Sequence, residues 1–263
     1  MSRIAGCFQR LEEARQVGLA CYLTTGYPDL DSTPDLVRAL VEGGADIIEL
    51  GVPFSDPLAD GATIQRSSFQ ALENGVNLGD CLQTAHRVRQ KGIEAPIVLM
   101  GYYNPFLHYG LARLAHACHE AGVDGLIVPD LPPDEAQELV ALCRECLLDL
   151  IFMLAPTSTE GRIKRVCQMA GGFIYCVSLT GVTGARSQLS SSLAPFLARV
   201  RRHTSLPLAV GFGISTREHV KEVGRMAEAA VVGSALMELI DRTPPAERTA
   251  ALARFAGELK GGH

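Results

Sequence analysis

The sequence predicts an α/β protein, a (β/α)8 barrel with an extra N-terminal helix, and three observations carry that prediction. Eight short apolar runs recur along the 263 residues, at a spacing of about 33, the length of one strand plus its crossover helix. Each run is apolar without alternation, as parallel strands buried on both faces require, and helical periodicity fills the intervals. An open doubly wound sheet would want a Gly-rich dinucleotide turn after its first strand, and Thr24 to Asp29 has none. One barrel domain over residues 1–263 is expected, because no linker or low-complexity segment divides the chain.

An amphipathic N-terminal helix precedes the first strand, Leu19–Leu23, which ends at Thr24, Thr25, Gly26, Tyr27 and Pro28. Ser32 or Thr33 then caps a helix with Pro34 in its first turn; Leu36, Val37, Leu40 and Val41 recur at helical spacing before Gly43 and Gly44 end it. Ile47–Leu50 is the second strand, and Ile64–Asn74 begins its helix. The remaining strands are expected over 96–100, 124–128, 149–154, 173–177, 208–212 and 229–233. Ser158 is placed to cap the helix after strand five, and Ser215 with Glu218 to form a capping box after strand seven.

A composition of 47% hydrophobic and 20% charged residues suits one large core. No apolar run approaches the roughly 18 residues of a membrane span, and the N-terminus does not read as a secretory signal, so a soluble cytoplasmic protein is expected. A net charge of −5, without a Lys/Arg-rich run, speaks against nucleic acid or an anionic membrane as partner and favours small molecules. The eight cysteines are scattered, as reduced thiols would be. Cys143 and Cys146, and the group His116, Cys118 and His119, fall in helical stretches, so packed residues are expected there and no metal site.

The chemistry centres on DIIELGVPFSDPLADG, Asp46 to Gly61. Glu49 interrupts an apolar strand, and a lone acid in a buried run is either paired or useful. The loop after it brings Asp56 and Asp60, and carboxylates gathered at a strand's carboxyl end suit proton transfer. In a barrel the strand ends share one face, so Glu49 and Asp60 converge there with Tyr102, Asn104, Asp130 and Tyr175. Tyr175 also suits core packing, Asp130 a helix start, and Tyr102 with Asn104 a turn. Glycines follow the last three strands in the order a barrel phosphate site requires: Gly181 to Gly184, then Gly211 and Gly213, then Gly233 before Ser234 and the helix SALMELI. No lysine takes part, so backbone N–H groups and the Ser234 hydroxyl are the expected donors. The Gly/Ser/Thr-rich stretch 181–193, with Thr183 and Arg186, is long enough to fold over a ligand.

These motifs together resemble the tryptophan synthase alpha chain family over essentially the whole length. The carriers are ELGVPFSDPLADG with Ile64 and Gln65, MGYYNPF at 100–106, VPDLPP at 128–133, APTS at 155–158, FIYCVS at 173–178, GVTGAR at 181–186 and GFGIS at 211–215. Two positions depart from the family pattern: Tyr27 stands where Asp is usual, and Ala62 where Pro often follows the DG. The resemblance implies retro-aldol cleavage of indole-3-glycerol phosphate to indole and glyceraldehyde 3-phosphate, in tryptophan biosynthesis. It makes Glu49 and Asp60 the catalytic pair. It also implies that Tyr22, Met100, Ile127, Tyr175, Thr183 and Phe212 bind substrate and that Gly184, Gly213, Gly233 and Ser234 hold the phosphate. No cofactor is expected in this chain; pyridoxal phosphate is expected in a partner beta subunit of an α2β2 tetramer, facing Asp56, Asn104 and Phe106. Two alternatives stay open, a free-standing indole-3-glycerol phosphate lyase and a catalytically silent regulatory subunit.

Overall fold

The computed structural model describes residues 2–178, 192–211 and 213–262. Eight parallel strands close into a barrel in sequence order: β1 (Gly18–Thr24), β2 (Ile47–Gly51), β3 (Ile97–Met100), β4 (Gly125–Ile127), β5 (Asp149–Leu154), β6 (Ile174–Val177), β7 (Leu208–Gly211) and β8 (Ala229–Val232). Closure is the parallel pairing of β8 with β1, Gly18 opposite Ala229. Each strand falls where the apolar runs predict it, with ends displaced by a residue or so.

The core has two layers because strand side chains alternate. Leu19, Cys21, Ile48, Leu50 and Leu99 face the helices. Ala20, Ile47, Val98, Ile127, Ile151 and Tyr175 fill the interior. The expected extra helix, α1 (Arg3–Ala14), plugs the amino-terminal end of the barrel: Ile4, Cys7, Phe8 and Leu11, one face at helical spacing, pack on those interior residues, and Phe8 lies 5.8 Å from Phe173.

The outer layer holds α2 (Thr33–Glu42), α3 (Ala62–Glu73), α4 (Leu78–Gln90), α5 (Tyr103–Tyr109), α6 (Leu111–Ala121), α7 (Gln137–Glu145), α8 (Glu160–Met169), α9 (Leu193–Arg201), α10 (Arg217–Val223), α11 (Ser234–Arg242) and α12 (Arg248–Lys260). The crossovers after β2 and β3 are split in two. Gly75 and Gly110 take positive φ, +79° and +92°, which ends one helix, and Asn77 with Asp80 forms the capping box that starts α4. Two expected caps sit one residue late. Thr159, not Ser158, caps α8 by accepting the Arg162 N–H; Thr216, not Ser215, caps α10 by accepting that of His219. Ser158 instead accepts the Ala155 N–H inside its own turn.

Register is pinned at the amino-terminal end by one device used three times. An acid just before an even-numbered strand accepts an amide from the first or second residue of the preceding strand: Asp46 from Leu19 at 2.7 Å, Asp124 from Ile97 at 2.8 Å, Glu228 from Leu208 at 2.7 Å. Each carboxylate also meets a cation, Lys260, Arg89 and Arg201 respectively. Cys118, Cys143 and Cys146 are free buried thiols on the helical layer, and Cys146 Sγ lies 3.6 Å from His116 Nδ1.

Asp124 is 6% exposed and holds Arg89, Arg3 and the Ile97 amide. Asp124→Ala removes the carboxylate facing the Arg89 charge, although Arg89 keeps its bonds to the Gly122, Ile93 and Ala95 carbonyls and Arg3 keeps Glu94. It is expected to cost about 3 kcal/mol of stability, read as a lower urea midpoint; an unchanged midpoint would remove this pin from the account.

Candidate active site

Alternation along β2 sends Ile47 and Glu49 inward, so Glu49 stands one layer above Ile47 near the carboxyl end of the barrel. It lies opposite Tyr22 on β1 and Val98 on β3. Glu49 is 1% exposed, and its Oε1 has no hydrogen-bond partner among the described residues. Burial pushes its carboxyl up to about 8, so at neutral pH it is predominantly protonated.

Asp60 reaches the same place from the loop after β2. It is half-buried, and its Oδ2 accepts the Tyr102 hydroxyl at 3.0 Å. The Gln65 side-chain amide holds the Asp60 carbonyl at 2.9 Å. Burial raises Asp60 to about 6, the hydrogen bond from Tyr102 acting in the opposite sense, and it stays mainly ionised at neutral pH.

Both acids line a cavity of about 280 Å³. Its apolar wall comes from Tyr22, Ile64, Met100, Tyr175 and Val231. The two tyrosines lean along their strands over neighbouring glycines: a Cβ on Gly51 would strike the Tyr22 hydroxyl, and one on Gly211 that of Tyr175. At the opposite side stand Gly213, Ile214, Ser215, Gly233, Ser234 and Ala235. Gly213 has φ +77°, which favours glycine. α11 begins at Ser234 with Gly233 as its N-cap and no side-chain cap; the Leu236 and Met237 N–H groups go to the Gly233 carbonyl, and those of Ser234 and Ala235 retain donor capacity at the cavity.

Of the residues singled out in the sequence, Glu49, Asp60, Tyr22, Met100, Tyr175, Gly213, Gly233 and Ser234 thus share one cavity. Ile127 is fully buried in the interior packing and does not join this wall. Thr183, Gly184 and Phe212 lie outside the described residues. Asp130 accepts the Tyr103 N–H at 2.9 Å and so serves the start of α5, across the loops, not a helix of its own unit. Asp56 and Asn104 are exposed. Phe106 is not: it is 0% exposed, and its ring fills the space above Gly101, so the expectation that it faces a partner is corrected. The segment 103–109 is helical, which turns Phe106 inward and its neighbour Leu107 outward. The sequence reading missed Ile64 and Glu238. Ile64 sits four residues after Asp60, and Glu238 one helical turn after Ser234, so helical periodicity carried the signal for the second.

A model of the family described as tryptophan synthase alpha chain matches residues 8–261. The alpha chain of Roseiflexus castenholzii is 61% identical over 261 residues, covering 99% of this chain and all of the relative. Among solved structures, Mycobacterium tuberculosis tryptophan synthase superposes with a TM-score of 0.90 at 39% identity, covering 99% of this chain and 98% of that one. Subunit alpha from Legionella pneumophila gives 0.91 at 34% identity, with the same coverage.

The chain belongs to the tryptophan synthase alpha chain family.

Membership makes it the alpha subunit of a synthase of tryptophan biosynthesis, a lyase in the indole-3-glycerol phosphate reaction, with a beta subunit as its partner. Neither of the two departures from the family pattern lines the cavity. Tyr27 gives its hydroxyl to Asp241 on α11, which also pairs with Arg66 on α3. Ala62 opens α3 behind Gly61, its N-cap.

The glycine notches make a prediction for this alpha chain. Gly51→Ala drives a methyl against the Tyr22 phenol and is expected to cost about 1–3 kcal/mol through overpacking and to lower kcat/KM. Thermal unfolding and indole release measure the two effects; wild-type values in both would show that Tyr22 has room to move.

Proposed function

We propose that Glu49 and Asp60 carry the cleavage of indole-3-glycerol phosphate between them, Glu49 moving protons and Asp60 stabilising charge. The observation that supports this is the buried Glu49 carboxyl, its Oε1 without a hydrogen-bond partner among the described residues, sharing one cavity with Asp60. The protonated Glu49 gives its proton to indole C3, which places positive charge on the ring nitrogen. The resulting carboxylate then takes the proton of the side-chain hydroxyl. The O–H electron pair becomes the aldehyde C=O, the bond from that carbon to C3 breaks, and its pair restores the neutral indole, leaving Glu49 protonated again. Asp60, ionised, accepts the ring N–H and stabilises the cationic intermediate.

Tyr22, Met100 and Tyr175 form the flat apolar side of the cavity that an indole ring needs. The proposed phosphate seat is the backbone of Gly213, Gly233 and Ser234 at the start of α11. We further propose that the chain works as one barrel domain without a cofactor of its own, in an α2β2 tetramer whose beta subunit holds pyridoxal phosphate. Leu58, 92% exposed beside Asp56, and Leu107, 53% exposed on α5 with Asn104, support this face as the contact. Among the described residues no helix can cross a membrane and the cysteines are free thiols, which supports a cytoplasmic setting.

Glu49→Gln is expected to lower kcat by at least about 10²-fold while a phosphate-bearing substrate analogue still binds; retained turnover would remove Glu49 from the mechanism. Asp60→Asn is likewise expected to abolish most turnover. In the wild type, kcat/KM should be bell-shaped, rising as Asp60 ionises near about 6 and falling as Glu49 loses its proton near about 8. A flat profile over that range would separate the two acids from the reaction. Gly213→Leu, strained at positive φ, is expected to raise KM for substrate, and an unchanged KM would move the phosphate elsewhere. Indole release measured with and without a beta subunit tests the assembly: strong acceleration is expected, whereas fast release by the chain alone would make it a free-standing lyase.

A further inference from the structure

Asp60 is carried by a loop, and that loop is folded on one side chain of the next unit. Tyr102 is the N-cap residue of α5 and is 5% exposed. Its hydroxyl oxygen accepts the Ala59 N–H at 2.9 Å, and the hydroxyl donates to Asp60 Oδ2 at 3.0 Å. Its ring lies 5.2 Å from that of Phe54. Tyr102 therefore meets the loop at Phe54, near its start, and at Ala59 and Asp60, near its end. Ser68 and Gln65 also tie the loop down, but through backbone atoms: Ser68 Oγ bridges the Phe54 N–H and carbonyl, and Gln65 holds the Asp60 carbonyl. Among the described residues the Tyr102 hydroxyl is the hydrogen-bond partner of the Asp60 carboxylate.

A phenol has one proton. Asp60, ionised, can only accept, and the Ala59 amide can only donate, so the direction of both bonds is settled and the hydroxyl cannot rotate away without losing one of them. We infer that Tyr102 is a positioning residue of the alpha reaction, aiming the Asp60 carboxylate into the cavity and holding it in its charged form before substrate arrives.

The electrostatic surroundings show why such a donor matters. The groups that face Asp60 are Glu49 from β2, Tyr22 from β1, Tyr175 from β6 and Glu238 from α11, with Asp130 beyond Tyr102. All are acids or phenols. No described Lys, Arg or His lines the cavity, and Arg66 on the adjoining α3 is engaged by Asp241. With no cation among the described residues to favour it, the carboxylate relies on a neutral donor against its own desolvation. A hydrogen bond from a donor to the charged form lowers the pKa of an acid, so loss of the hydroxyl must raise that of Asp60, and the loss is felt where Asp60 has to be ionised.

The inference rests on the proposed role of Asp60 as an ionised acceptor. The test is Tyr102→Phe, which keeps the ring against Phe54 and the helix start while removing only the hydroxyl. The acid limb of kcat/KM is expected to move to higher pH by about one unit, with roughly tenfold lower kcat/KM below neutrality, the scale of one hydrogen bond to a charged group. Substrate phosphate titrates near about 6 as well, but it is the same molecule in both assays, so the difference between the two profiles reports on the enzyme. Phe54→Leu, which removes the ring contact and leaves the hydroxyl, is expected to leave the acid limb in place. An unmoved limb in Tyr102→Phe, or an equal shift in Phe54→Leu, overturns the positioning role. If Asp60→Asn itself retains turnover, the reading of Asp60 fails instead, and the two failures are told apart by that variant.

Discussion

Everything at the active end of this barrel depends on a carboxyl group that the fold buries without a hydrogen-bond partner among the described residues. A register slip of one residue along β2 would send Glu49 to the helical layer and Ile48 or Leu50 to the cavity, because successive side chains face opposite ways. The pairing of Tyr22, Glu49 and Val98 is held from the other end of the barrel, where Asp46 takes the Leu19 amide and Lys260, and Asp124 takes the Ile97 amide and Arg89. The same chemical group thus has two uses. At the amino-terminal end carboxylates meet amides and cations, and their charge fixes register. At the carboxyl end Glu49 meets neither, and burial keeps it protonated. That arrangement costs stability: the folded state holds the proton more tightly than the unfolded chain, so the cost grows as pH rises from the ordinary carboxylate range toward about 8.

Asp60 differs because it arrives on a loop. Partial solvent access and a phenolic donor bring it only to about 6, two units below Glu49. Between those values one acid is charged and the other neutral, which is the division that an acid and a charge stabiliser require. Environment alone makes the difference, a strand position sealed by Tyr22 and Tyr175 in one case and a loop hung on Tyr102 in the other.

The strands, the plugging helix and the two acids were legible in the sequence because each is written locally, as an apolar run, a helical face or an acid where none is expected. Features that depend on residues distant in the chain were not. The split crossovers were signalled by Gly75 and Gly110, but a glycine's φ is decided by what surrounds it. Phe106 reads as a loop residue in YYNPF until α5 turns it inward over Gly101. Tyr102 looked like part of a turn because its partners, Ala59 and Asp60, lie more than forty positions away. The register acids, in contrast, leave a faint pattern, an acid before the apolar runs at 46, 124 and 228, which becomes meaningful only once the neighbouring strands are known.

The proposed phosphate seat completes the electrostatic argument. The described cavity wall carries Glu49, Asp60 and Glu238 and no basic residue, so a phosphate there is held by backbone N–H groups and the positive end of α11. Such dipoles favour an anion without neutralising it. A bound phosphate therefore adds negative charge to a small, partly enclosed site and raises the pKa of any carboxyl facing it. For Glu49 the effect has the useful sign, since in the proposed reaction it holds the proton that C3 must receive. For Asp60 the sign is adverse, and it falls on the acid that a hydrogen bond from Tyr102 already supports. By linkage, a protonated Glu49 favours phosphate binding to the same extent that phosphate favours the proton. In the proposed reaction substrate and catalytic proton thus enter the site as mutually supporting ligands, and a lysine at the proposed phosphate seat would weaken that coupling even as it tightened binding.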